Sequence, residues 1–330
     1  MSISYFIGVD VGGTNLRAAR FRGQQPIPDA KVKVPSQPGG ERDHMLDRLE
    51  QAIREVAPPD LADVAGIGLG IPGPVDPHTG MVINITNIPG WKNLPLQQIM
   101  QERLGRPVFL GNDANLAALG EWKFGAGRGQ HDVLYLTVST GIGGGIITGD
   151  RLLLGAHGLG AEVGHVMVQP NGPRCGCGLR GCVEALAAGP AITRQAQARL
   201  AAGEGAASAL RTLTDGDLTL LTTALIGQAA LNGDGFAQAL FAEAGGHLGA
   251  AIAGLLHIFN PAVVILGGGV SFVGDVFFEP VRAAVRQHTM NDLYWRNCPI
   301  VPAALGDDAG LVGAGALAME ESRARVLPDR

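Results

Sequence analysis

The feature that most constrains this chain is a unit that occurs twice. Tyr5–Val11 is a short apolar run that stops at Gly12-Gly13, and residues 16–22 follow at once with weak alternation. Residues 132–138 form a second apolar run, residues 139–145 a glycine-rich turn, and residues 146–148 begin a returning strand. Each unit predicts a strand, a tight turn and a second strand. One such pair is a modest repeat signal, and it fits a duplicated α/β domain. The 330 residues leave room for about two domains.

The segments between the repeats read as alternating helices and strands. Residues 43–56 place Met45, Leu46, Leu49, Ile53 and Val56 at helical spacing. Val64–Ile71 is a buried-strand run that ends in Pro72-Gly73-Pro74. Residues 94–104 read as a helix with Asn93 as its cap, 107–110 as a strand, and 112–124 as a helix entered through a polar turn. Further helices are expected at 189–202, 217–230, Gly235–Phe259, 274–288 and 309–325. A buried strand at 261–266 ends in Gly267-Gly268-Gly269. Strands alternating with helices imply an α/β fold with parallel or mixed sheets. No Pro-, Ser- or charge-rich linker separates two halves, so the domains are expected to face each other across a cleft.

Hydrophobic types make up 46% of the chain and charged types 17%. That supports a sizeable core and excludes a disordered chain. Glycine is in excess, with 50 residues against a usual share of about 7%. The glycines gather at strand ends, where backbone turns tightly or approaches a ligand. Net charge is −5, with 25 basic and 30 acidic residues and no long basic block. This argues against a nucleic-acid partner. The N-terminal stretch lacks the basic region and apolar core of a secretory signal. The most apolar stretch, 248–256, stops at His257 and reads as too short to span a bilayer. The expected location is the cytoplasm, with no membrane partner. Four cysteines in that compartment favour metal binding or free thiols over disulfides.

Three glycine-rich turns suit phosphate. The first holds Asp10, Gly12, Gly13 and Thr14, with Arg17 beyond; the second runs from Ser139 through Thr140, Gly141 and Gly144; the third is Gly267-Gly268-Gly269. Glycines let backbone N–H groups approach an oxyanion, and Asp10 at a strand end can hold Mg²⁺. Any one of these turns alone reads equally as an ordinary hairpin; three together point to a nucleotide cleft. Cys175, Cys177 and Cys182 sit in the string CGCGLRGC, with His165 ten residues upstream of the first. Three thiolates and an imidazole make a closed structural zinc set, with a disulfide or free thiols as the alternatives. Zinc would order a loop that also carries Glu162 and Glu184. Asp113, in Gly111-Asn112-Asp113, follows a predicted strand and opens a helix. That position suits either a catalytic base at the sheet edge or a helix cap. Asn87 and Gly73 lie in further loops.

These strings together identify the chain as similar to the ROK family (repressor, open reading frame, kinase). They run from DVGGTNLR through GNDANLAALGEWKFGAGRG, STGIGGGII, EVGH and CGCGLRGCVE to NPAVVILGGGV. Within that family the zinc-containing bacterial glucokinases are most alike. The resemblance implies an actin-like (ribonuclease H-like) duplicated two-domain fold. The implied division is a smaller domain of residues 1–115 with the C-terminal helix at about 309–325, and a larger domain of 116–308 carrying the zinc loop. It implies transfer of the ATP γ-phosphate to a hexose, with Asp113 as the base. Gly73, Asn87, Asn112, Glu162, His165 and Glu184 match sugar contacts. Asp10, Gly12, Gly13, Thr14, Thr140, Gly141, Gly144, Gly268 and Gly269 match nucleotide positions. His165, Cys175, Cys177 and Cys182 match the zinc ligands. Many members carry Ser-Gly where this chain has Ala188-Gly189. Glucose is the expected substrate; N-acetylglucosamine, N-acetylmannosamine, fructose and mannose are the alternatives. Polyphosphate is an alternative donor, although relatives that use it typically lack the cysteine cluster. Repressors of the family carry a winged helix-turn-helix before the first glycine turn, and Asp10 is expected to leave no room for one. A catalytically silent sugar sensor is the remaining alternative. The resemblance also suggests a homodimer.

Overall fold

In the computed structural model the described residues are 4–36, 42–85 and 88–326. In chain order the first elements are β1 (Tyr5–Val11), β2 (Asn15–Arg22), β3 (Ala30–Pro35), α1 (Arg42–Val56), β4 (Val64–Ile71), β5 (Val75–Asp76), β6 (Met81–Asn84), β7 (Lys92–Leu94), α2 (Leu96–Leu104), β8 (Val108–Asn112) and α3 (Asp113–Phe124). There follow β9 (Val133–Val138), β10 (Ile142–Thr148), β11 (Arg151–Leu152), α4 (Val183–Ala187), α5 (Gly189–Ala201), α6 (Leu210–Leu213), α7 (Thr223–Leu231) and α8 (Gly235–Phe259). The last are β12 (Val263–Gly267), α9 (Asp275–His288), α10 (Leu293–Arg296), β13 (Ile300–Pro302) and α11 (Ala309–Val326).

The duplication is one of topology. One sheet has the strand order β3-β2-β1-β4-β8 and the other β11-β10-β9-β12-β13. In the first, β1, β4 and β8 are parallel, β2 pairs antiparallel with β1, and β3 pairs antiparallel with β2. In the second, β12 is parallel to both β9 and β13. A small antiparallel sheet, β5-β6-β7, is inserted between β4 and β8.

Contacts group the chain into two compact units. The first is Met1–Gly129 with Gly145–Ala161 and Ala304–Arg330; the second is Gln130–Gly144 with Glu162–Ala303. In the first unit, one face of the sheet buries Ile7, Val9, Ile67 and Leu69 under Leu46, Leu49 and Ile53 of α1. The other face packs Phe6 and Phe21 on Leu311, Val312 and Met319 of α11. That helix comes so close that a Cβ on Gly68 of β4 would stand 1.9 Å from the Ala314 carbonyl oxygen. α3 packs on α11, which is why it falls in the first unit although the sequence suggested a division after residue 115.

Four sequence expectations change. The glycine run at 142–145 is not part of the turn: β10 begins at Ile142, because glycine's lack of a side chain does not stop it pairing. Asn93 does not cap a helix; it lies in β7 with φ +50, and α2 starts after Pro95 without a side-chain cap. The segment read as one helix at 217–230 is a short turn, Leu218–Leu220, followed by α7, whose cap is Thr222 accepting from Leu225 N–H at 3.2 Å. The apolar stretch at 248–256 belongs to the 25-residue α8, which is long and apolar enough for a bilayer by length and composition. Sixty-one per cent of its most apolar window is buried within the protein, and it packs along α9. It is a core helix of the second unit.

Candidate functional site

In the first unit, parallel pairing aligns three strand ends. Asp10 of β1 lies opposite Gly70, and Gly70 and Ile71 of β4 lie opposite Gly111 and Asn112 of β8. The glycine turn, the Gly73 loop and the Asn112-Asp113 step therefore leave the sheet at one carboxyl edge, where ligands of open α/β sheets bind. The turn is braced from behind. Gly12 N–H donates to Asn15 O at 2.9 Å, Ser36 N–H donates to Thr14 O at 2.8 Å, and Ser36 Oγ donates to Gly12 O at 2.6 Å. Gly13 and Thr14 remain exposed at the tip. Asp10 Oδ2 accepts from Arg17 Nε at 3.1 Å and from a second guanidinium nitrogen, so both contacts from Arg17 fall on one oxygen.

Of the two residues at 112–113, the cap falls to the first. Asn112 is the N-cap of α3: its Oδ1 accepts the N–H groups of Ala114 at 3.0 Å and Asn115 at 3.1 Å. Its Nδ2 donates to Gly73 O at 3.2 Å, so two predicted sugar contacts are joined. Gly73 has φ +107, a backbone state that strains any other residue. Asp113 stands half-buried in the first turn of α3. Its Oδ1 accepts the adjacent Ala114 N–H at 2.8 Å. Asn87 lies outside the described residues.

The second unit repeats the plan. Thr137 of β9 lies opposite Gly267 of β12, so Ser139-Thr140-Gly141 and Gly268-Gly269 also emerge at one carboxyl edge. Gly268 has φ +83, and a Cβ there would stand 2.4 Å from Val138 O. Gly144 differs from its expectation: it is buried in β10, and a Cβ would strike Tyr135 O and Val163 at 2.5 Å. Its evident role is close packing. Beside the turn is a cavity of about 770 Å³, lined by Ser139, Thr140, Gly189, Thr193, Thr223 and Gly269 over an apolar floor that includes Phe241 and Val273. Sequence reasoning missed this cavity, because its walls come from α5, α7 and α8, each of which reads alone as an ordinary helix.

The ligand atoms of His165, Cys175, Cys177 and Cys182 all lie within 4.8 Å of one another. Cys177 Sγ and Cys182 Sγ are 3.7 Å apart, as are Cys175 Sγ and His165 Nδ1. A tetrahedron with Zn–S bonds of about 2.3 Å has edges of about 3.8 Å, so the donor set fits zinc in size and softness. Burial pushes the Cys175 thiol up to about 12 and raises Cys182, while the Leu179 N–H lowers Cys177. Two buried thiols are thus poor anions unless a cation compensates them. With Nδ1 aimed at the cluster, His165 Nε2 faces Glu162 Oε2 at 4.0 Å. Glu184 spans two features: Oε1 is 3.4 Å from Cys175 Sγ, and Oε2 accepts Ile142 N–H at 3.0 Å. Glu162, His165 and Glu184 are therefore gathered around the cluster.

Residues 6–321 match the ROK family. The chain is 38% identical over 317 residues to a glucokinase of Thermotoga maritima, covering 95% of this chain and 97% of that one. Its structure resembles a ROK family glucokinase from Streptomyces griseus in complex with glucose and AMPPNP, with TM-score 0.81, 38% identity, and coverage of 97% and 100%. It also resembles a ROK family transcriptional regulator, a homologue of the E. coli MLC protein, with TM-score 0.85, 28% identity, and coverage of 96% and 78%. With two glycine turns, an Asn-Asp step and a His-Cys₃ cluster in place, and the match spanning nearly its whole length, the chain belongs to the ROK family.

Proposed function

We propose that this chain phosphorylates a hexose at the expense of ATP, with glucose as the substrate, O6 as the acceptor and Asp113 as the general base. The observation that carries the reading is the geometry at 112–113: Asn112 caps α3, and the half-buried Asp113 carboxylate follows it at the carboxyl edge of the sheet. Likeness to the T. maritima and S. griseus glucokinases supports glucose. Asp113 takes the proton of the attacking hydroxyl. Gly73, Asn87, Asn112, Glu162, His165 and Glu184 read the sugar hydroxyls.

In phosphoryl transfer most of the catalysis is positioning and charge stabilisation. Gly13, Thr14, Thr140, Gly141, Gly268 and Gly269 supply backbone and hydroxyl donors to the nucleotide, Gly12 lets the first turn close tightly beside it, and the cavity beside Thr140 takes its base and ribose. Asp10 suits magnesium, since Arg17 engages only Oδ2 and Oδ1 is a hard carboxylate oxygen. A magnesium ion held there would neutralise phosphate charge. Zinc held by His165, Cys175, Cys177 and Cys182 would be structural and would order the segment between Glu162 and Glu184. Cytoplasmic location and homodimerisation complete the proposal.

The regulator likeness favours one second reading, a sugar sensor without turnover. ADP release from MgATP over a panel of glucose, mannose, fructose, N-acetylglucosamine and N-acetylmannosamine separates the two. Strongest turnover on glucose is expected. Strongest turnover on an acetamido sugar would replace the substrate and keep the residue roles. Sugar binding with no turnover would favour the sensor.

A further inference from the structure

Glu121 has no part in the reading above, yet its side chain is fully buried on the last turn of α3. Its backbone carbonyl accepts the N–H groups of Gly125 and Gly127, each at 3.0 Å. Its carboxylate accepts three more. Oε2 takes Ala126 N–H at 2.8 Å and Ala304 N–H at 3.1 Å, and Oε1 takes Leu305 N–H at 2.7 Å. A carboxylate is costly to bury unless its charge is met by donors. Here backbone donors meet it, and two of them come from a segment nearly two hundred residues away in the chain. Its place is therefore specific: it fastens residues 304–305 to α3.

Residues 304–305 lead into the turn Gly306–Asp308 and then α11. Arg17 docks on that turn. One guanidinium nitrogen donates to Asp307 O at 2.6 Å and lies 3.7 Å from Asp308 Oδ1, which also pairs with Lys31 Nζ at 2.5 Å. The remaining Arg17 donors converge on Asp10 Oδ2. One continuous path thus runs from α3 through Glu121, the 304–308 turn and Arg17 to Asp10, all within the first unit. α3 begins with Asp113. The path connects the proposed base to the proposed magnesium carboxylate, on a frame kept stiff by close packing: a Cβ on Gly120 of α3 would stand 2.6 Å from Ala309 O of α11.

We propose that Arg17 is a positioning residue for phosphoryl transfer, anchored by Glu121 through the 304–308 turn. The proposal rests on the roles given above to Asp10 and Asp113. Two donors on a single oxygen fix the rotation of the Asp10 carboxylate. Residues that orient a metal-binding carboxylate in this way commonly contribute about 10–100-fold in metal affinity or rate.

The test uses full-length Arg17→Lys, Glu121→Gln and the double variant. Binding of a non-hydrolysable ATP analogue is measured by calorimetry across a magnesium series, beside glucose binding without nucleotide and steady-state kinetics. The magnesium midpoint is expected to rise about 10–100-fold in each single variant, with kcat falling and glucose affinity within about twofold of wild type. The double variant is expected to be no worse than the worse single, because both act through one turn. Unchanged magnesium midpoints, an equal loss of glucose affinity, or effects that multiply would each overturn the proposal. Arg17 is part-exposed, so Arg17→Lys is expected to fold even where Glu121→Gln does not. A wild-type magnesium midpoint in Arg17→Lys alone suffices to reject it. If the wild-type protein turns over no hexose, the kinase reading fails, while the magnesium-dependent binding data still decide the role of Arg17.

Discussion

Glu184 Oε2 accepts the Ile142 N–H at 3.0 Å, so a residue of α4, just after Cys182, holds the first residue of β10. A Cβ on the neighbouring Gly141 would stand 2.7 Å from the same oxygen. Glu184 is thus at once a predicted sugar contact, a neighbour of Cys175 and a brace for the Thr140-Gly141 turn.

Glu184→Ala removes that brace together with one sugar contact. Glucose affinity is expected to fall at least about tenfold, the scale of one lost charge-assisted hydrogen bond. Amide hydrogen exchange at Gly141 and Ile142 is expected to speed up, with β9 unchanged. Unaltered exchange in the turn would show that Glu184 serves the sugar alone.

The zinc cluster is expected to be coupled to the sugar contacts. Cys177→Ser should lose zinc by elemental analysis and weaken glucose binding, because the loop that carries Glu162, His165 and Glu184 loses its order. A zinc-free variant with native glucose affinity would refute the coupling.

Thiol chemistry gives an independent reading of the cluster. Cys298 is buried, and burial pushes its thiol up to about 11, so at neutral pH it is overwhelmingly protonated and unreactive. Cys177 is exposed and its thiol is lowered. Alkylation at neutral pH is therefore expected to be slow with zinc bound, and chelation should expose Cys177 first, as mapped by mass spectrometry. Cys298 labelling before Cys177 in folded, chelated protein would contradict the burial argument.

Gly268→Ala tests the third glycine turn. The position combines φ +83 with a 2.4 Å approach to Val138 O. A residue held in a sparsely populated backbone state costs on the order of 1–3 kcal/mol. The unfolding free energy from urea titration should fall by that amount, and the KM for ATP should rise more than the KM for glucose. Equal shifts in both would assign the glycine to the fold alone.

Much of this was legible in the sequence because its signals are local. The Asp10 and Ser139 turns announce themselves by glycine next to strand runs, and the cysteine string carries its own spacing. Asn112 and Asp113 were visible too, but only the carbonyl of Gly73 and the capping bonds separate their roles. What stayed hidden depends on distant chain. Glu121 reads as an exposed helical glutamate until Ala304 and Leu305 are brought to it. The cavity beside Thr140 needs Thr193 and Thr223, whose hydroxyls meet at 3.0 Å across two helices. Gly144 reads in the sequence as a turn glycine and lies in β10, since periodicity cannot tell a strand glycine from a turn glycine.

The most direct test of the central claim is hexose-dependent ADP release by the wild type and Asp113→Asn, side by side with glucose binding and thermal unfolding. The account predicts robust turnover on glucose by the wild type. It predicts a fall of about 10²–10⁴-fold in kcat for Asp113→Asn, with the unfolding temperature and glucose affinity nearly unchanged. Turnover near the wild-type level in that variant would contradict the assignment of Asp113 as the base.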